Sequence, residues 1–94
     1  MRSVDVEIRN PSGLHARPAA VFVKAAAGFR SSVTVENLTR EAAPVNAKSI
    51  ISFLSGGISQ GHTVRIAADG EDEEAAVQAL GALVESGLGE ALDG

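Results

Sequence analysis

Ser3-Val4-Asp5-Val6-Glu7-Ile8 alternates polar and apolar residues, the two-residue period of a strand with Val4, Val6 and Ile8 on its inner face. Asn10-Pro11-Ser12-Gly13 interrupts the alternation with turn-forming residues. From Ala16 to Gly28 the period lengthens, and Ala19, Phe22, Val23, Ala26 and then Phe29 fall on one helical stripe. Pro18 is tolerated only in a first turn, and Arg17 before it is biased out of helical torsions, so this helix starts within a residue or two of Arg17. Gly28 suits its C-cap. Alternation returns over Ser31–Leu38, with Val33 and Val35 sharing a face. The long connection Thr39–Asn46 leads to a short third strand around Val45. Asn46 or Ser49 can cap a short helix carrying Ile50, Ile51, Phe53 and Leu54, which Gly56-Gly57 stops. His62–Ala68 reads as a fourth strand, with Thr63, Arg65 and Ala67 opposite Val64 and Ile66. Asp69-Gly70 then turns into a last helix opened by the acidic run Glu71–Glu74, with Val77, Leu80, Leu83, Val84 and Leu88 as its buried stripe.

The order is β-α-β-β-α-β-α, without repeat or linker. Strands with one apolar face and helices with one apolar stripe fit a single antiparallel sheet covered on one side. The expectation is therefore an α+β two-layer fold forming one domain over residues 1–94.

Composition narrows the chemistry. The chain contains no cysteine, which excludes disulfides, thiolate metal sites and thiol catalysis. Its three aromatic residues are all Phe, too few for stacking bases, so the core must be built from Ala, Val, Ile and Leu. The start MRSVDVEIRN has no signal-peptide character, and the apolar run after it is cut by Lys24. A cytoplasmic protein without membrane insertion is expected. The net charge of −4 is unevenly shared: residues 1–48 carry seven Lys and Arg against four Asp and Glu, and residues 49–94 carry one against eight. An anionic ligand or an acidic protein surface is steered toward the first half, whereas nucleic acid is repelled by the whole.

His15 lies in that positive half, between a Gly-containing turn and a helix start, two residues before Arg17. A lone loop histidine is most often a surface residue or a local cap. No metal site competes, because His62 is the only other histidine and neither has ligand-type neighbours in sequence. P-loop and dinucleotide motifs are absent. A helix N-terminus, however, offers unpaired amides and a partial positive charge, a ready site for an anion. The same field disfavours the imidazolium, leaving a neutral ring with a lone pair, as a nucleophile toward phosphorus requires. Arg17 can add directed donors to phosphoryl oxygens. Nothing nearby in sequence would activate a hydrolytic water, so the constellation suits a carrier.

GLHARPAA, residues 13–20, resembles the active-site signature of the HPr family, the histidine-containing phosphocarriers of the bacterial phosphoenolpyruvate:sugar phosphotransferase system. NAKSII, residues 46–51, resembles the family's second motif, and ADGEDEEAAVQAL, residues 68–80, resembles its lead into the last helix; the likeness covers nearly the whole chain. It implies an open-faced β-sandwich, a four-stranded antiparallel sheet with three helices on one face. His15 would accept the phosphoryl group through Nδ1 from phosphorylated enzyme I and pass it to the A component of a sugar permease. Arg17 would orient and neutralise the group, with backbone N–H groups of Ala16 and Arg17 adding their dipoles. No cofactor or metal is implied. The protein would be a monomeric, stoichiometric carrier and not an enzyme.

The resemblance also matches Ser49 to a regulatory serine, the target in some bacteria of a serine kinase/phosphorylase; the plainer reading is an unmodified cap. It implies a partner surface of Ala20, Lys24, Lys48, Ile50, Ile51 and Leu54, with Val21 beside them, although some of these can be ordinary core. Two departures stand out: the Thr39–Pro44 connection is longer than the usual turn, and Gly56 replaces a common leucine. Glu71–Glu74 reads as a solvated helix start and His62 as a strand-edge surface residue. The rival readings are a regulatory paralogue of nitrogen-branch type, with the same chemistry and other partners, and a non-catalytic anion- or partner-binding regulator, which would not need His15.

Overall fold

Side chains that alternate along a strand give it two faces, and here every apolar face is turned to one side of a single sheet. The computed structural model describes residues 1–90; the last four residues of the expected domain lie outside the described residues. Strands β1 (Arg2–Glu7), β2 (Ser32–Asn37), β3 (Val45–Asn46) and β4 (Thr63–Asp69) pair antiparallel in the order β1-β4-β2-β3. Helices α1 (Ala16–Ala27), α2 (Ile50–Leu54) and α3 (Glu73–Glu85) complete the element order that the hydrophobic pattern predicts. The first strand stops one residue short of its predicted end. Ile8 nevertheless stays fully buried, and its amide donates to the His62 carbonyl at 2.8 Å.

β4 runs through the centre. Its Val64 and Ile66 face Val6 and Val4 of β1, and Ile66 also faces Val35 of β2. On the open face Arg65 stands in register between Asp5 and Glu36, and its guanidinium donates to both Asp5 oxygens, at 2.8 and 3.1 Å. That pair is solvated and contributes little to stability. The inner face carries the core. α1 buries Ala19, Phe22 and Ala26; α3 buries Ala76, Val77, Leu80, Gly81 and Val84; α2 adds Phe53. The Phe22 and Phe53 rings stack with centroids 5.1 Å apart, joining α1 to α2. Such a pair adds roughly 0.5–1.5 kcal/mol beyond the area it buries.

Four predicted inward positions, Val4, Val23, Phe29 and Leu83, are only half-buried. Small residues take the closest contacts instead: a Cβ on Gly81 would sit 3.4 Å from a Val4 methyl, so α3 rests tightly on β1. In the acidic run Glu71 and Glu74 are exposed, as the solvated reading has it, whereas Asp72 and Glu73 are half-buried and tied down. Asp72 accepts from the Arg30 amide at 2.8 Å, the Ser31 amide at 2.9 Å and the Ser31 hydroxyl at 2.5 Å, which ties the start of α3 to the entry of β2. The Ser31 hydroxyl and then the Arg30 amide hold its carboxyl at about 2. Glu73 accepts from the Gly70 amide at 3.2 Å and pairs with the N-terminal ammonium at 3.0 Å. Of the two candidate caps for α2, Ser49 is used, its hydroxyl accepting from the Ser52 amide at 3.4 Å, while Asn46 accepts from the Lys48 amide at 2.9 Å.

Candidate functional site

β1 delivers the chain to a turn that positions His15. Asn10, wholly buried, donates its side-chain amide to the Gly13 carbonyl at 2.8 Å, and the Gly13 amide donates back to the Asn10 carbonyl at 3.1 Å. Gly13 has φ +63°, and a Cβ there would meet Ser59 Cα at 2.7 Å and the Ile58 carbonyl oxygen at 2.8 Å. Only glycine fits that approach. Leu14 then anchors in the core, its amide donating to the Ile58 carbonyl at 3.0 Å.

His15 follows as the extended N-cap of α1, at φ −128° and ψ 164°. Its carbonyl accepts from the Ala19 amide at 3.5 Å, whereas its ring makes no cap bond and stays half-buried. Ala16 takes φ +51°, a left-handed conformation that costs a residue with a Cβ about 1–2 kcal/mol. Pro18 lacks an amide hydrogen, and the Ala16 and Arg17 amides have no acceptor among the described residues. Arg17 is exposed beside them. The helix thus opens with two free donors and a free guanidinium next to an uncommitted imidazole, an arrangement suited to negative oxygens.

Two supports of this turn carry no local sequence signal. Glu90, beyond α3, receives the Asn10 side-chain amide and the Ser12 amide on one oxygen, each at 3.0 Å, and the Ser12 hydroxyl on the other at 2.7 Å. These donors, Asn10 foremost, lower its carboxyl pKa. The second support is the Ile58–His62 turn. His62 is not the free surface residue expected: its Nδ1 lies 3.1 Å from the Ser59 amide and 3.0 Å from the Asn37 side-chain nitrogen.

The predicted partner residues lie on the neighbouring surface of α1 and α2. Ala20 and Lys24 are exposed with Arg17, while Val21 is half-buried against the core. Ile50, Ile51 and Leu54 are exposed to 40%, 82% and 41%, so they are surface and not core. Lys48 departs from a free charged rim, because its ammonium donates to the Phe29 carbonyl just past α1 at 2.7 Å. Ser49 is half-buried at its cap. A Cβ on Gly56 would sit 3.3 Å from the Phe53 carbonyl oxygen and 3.5 Å from Ile58 and Val45 side-chain carbons. Among the described residues no group of three or more His, Asp or Glu is placed to hold a metal ion, and no helix is long and apolar enough to cross a membrane.

A family model described as the PTS HPr component phosphorylation site matches residues 2–86. The chain belongs to the HPr family. It is 46% identical over 84 residues to the phosphocarrier protein HPr of Haemophilus influenzae, covering 89% of this chain and 95% of that one. It is also 47% identical over 83 residues to a multiphosphoryl transfer protein of the same organism, covering 88% of this chain and 17% of that protein. Against the multiphosphoryl transfer proteins it matches, the chain spans only about a fifth of their length. A crystal structure of HPr-C-His from Thermoanaerobacter tengcongensis superposes with a TM-score of 0.90 at 50% identity, covering 98% of this chain and all of that one. The HPr structures share the open sheet with helices on one side, the α+β open-faced sandwich that the resemblance implies.

Proposed function

We propose that this chain carries a phosphoryl group on His15, taken through Nδ1 from phosphorylated enzyme I and passed to the A component of a sugar permease. One observation supports this above others: His15 stands at the N-cap of α1 with its ring making no cap bond, and the Ala16 and Arg17 amides that follow have no acceptor among the described residues. In the step itself the Nδ1 lone pair forms the new bond to phosphorus. The bond from phosphorus to the donor breaks, its electron pair leaving with the donor. Arg17 and the Ala16 and Arg17 amides take the charge on the three phosphoryl oxygens, while the exposed apolar face of α2 gives a transient partner a modest contact. A phosphate on Ser49 would add about −1.5 to −2 charges beside that face and weaken docking of an acidic partner.

Phosphoenolpyruvate plus enzyme I should load one acid-labile phosphoryl group per chain, and His15→Ala should accept none. Loading that survives the substitution, or fails on the wild type with a competent enzyme I, overturns the reading.

A further inference from the structure

The Ile58–His62 turn is the surface against which the His15 turn is built. Ile58 gives its carbonyl to the Leu14 amide, Ser59 Cα leaves no room for a side chain on Gly13, and Gln60 donates to the Arg9 carbonyl at 3.0 Å. The Gly61 amide donates to the Ile8 carbonyl at 2.7 Å, and the His62 carbonyl accepts from Ile8. Every residue of this turn therefore touches the segment leading to His15.

The His62 ring holds the turn closed, and its tautomer follows from its neighbours. The Arg40 amide donates to Asn37 Oδ1 at 3.2 Å, which leaves Asn37 Nδ2 to face His62 as a donor. The Ser59 amide is a donor by nature. Two donors converge on Nδ1, so that atom carries a lone pair and the proton sits on Nε2. The His62 backbone amide also donates to the Ser59 carbonyl at 3.1 Å, so the turn is closed by main chain and ring together.

We propose that His62 is a positioning residue for phosphoryl transfer: its Nδ1 acceptor fixes the Ser59 turn, which seats Gly13 and Leu14 and so aims His15 and the open amides of α1. The inference rests on His15 being the acceptor. Without the ring, Ser59 and Asn37 each lose an acceptor, and the wall behind Gly13 is free to shift. Displacements of about 1 Å in a reacting group cost up to about a hundredfold in rate.

The test compares His62→Leu with His62→Asn, whose Oδ1 can occupy the place of Nδ1. His62→Leu should slow loading from phosphorylated enzyme I about tenfold in kcat, with KM for that donor unchanged. It should also speed amide exchange at Leu14 and Ser59, a readout that involves no phosphoryl chemistry. His62→Asn should restore both to within about twofold. A leucine variant that loads at the wild-type rate overturns the inference, as does an asparagine variant no better than leucine. If His62→Leu does not fold, wild type against His62→Asn decides on its own, since a drop of tenfold or more for asparagine removes the acceptor argument. A wild type that never loads refutes the carrier reading instead, and the exchange rates still report whether His62 holds the turn.

Discussion

At the scale of single residues, the site depends on groups left without partners. Arg17 is exposed, so its removal should leave the fold nearly untouched. Arg17→Ala should slow phosphoryl transfer roughly ten- to a hundredfold, the worth of about 1.5–3 kcal/mol for a hydrogen bond to a charged group. Rapid-quench transfer rates set beside thermal melts check this; equal rates in mutant and wild type contradict it. The placement of His15 and Arg17 at a helix start is legible in the sequence, because turn, proline and apolar period mark it. Glu90 is not legible as their support. It acts on Ser12 and Asn10 from 78 and 80 residues away, and no local pattern encodes such a reach. His62 is misread for a related reason, since its role follows from Asn37 and Ser59 and not from its place beside a strand.

At the scale of elements, periodicity carries most of the fold. The alternations around Val33, Val35, Val64 and Ile66 survive as buried faces, and Ser49 caps where its sequence context allows. Element ends and margins are less legible: Val23 and Leu83 obey the helical period but stay half-buried at the edge of the core. The turn before α1 depends on Gly13. Gly13→Ala should cost at least about 2 kcal/mol, combining a positive φ with a collision against backbone atoms, and should displace His15. Chemical denaturation checks the first part and loading from enzyme I the second. On α2, Ile51 is the most exposed of the three apolar residues. Ile51→Asp should therefore change stability by less than about 0.5 kcal/mol yet weaken binding to phosphotransferase partners, to be measured by calorimetric titration.

At the scale of the whole molecule, carboxylates join segments distant in sequence. A carboxyl held below its ordinary value contributes stability that is complete above that value and is lost as pH falls through the lowered one. For Asp72 the window runs from 3.8 down to about 2. The difference in denaturation midpoint between wild type and Asp72→Asn should be constant above pH 3.8 and narrow as pH approaches about 2. A difference that does not change across that range contradicts the assignment. Glu90 acts in the same sense, its carboxyl being lowered by Asn10 and Ser12, so acid should loosen the His15 turn as well as the β2 entry. With no Trp or Tyr in the chain, ordinary fluorescence reports none of this. The face-to-face rings of Phe22 and Phe53 supply a native probe in its place. Each lies in the other's magnetic shielding, so their proton resonances should appear upfield and return toward random-coil positions if loading at His15 slides α1 across α2.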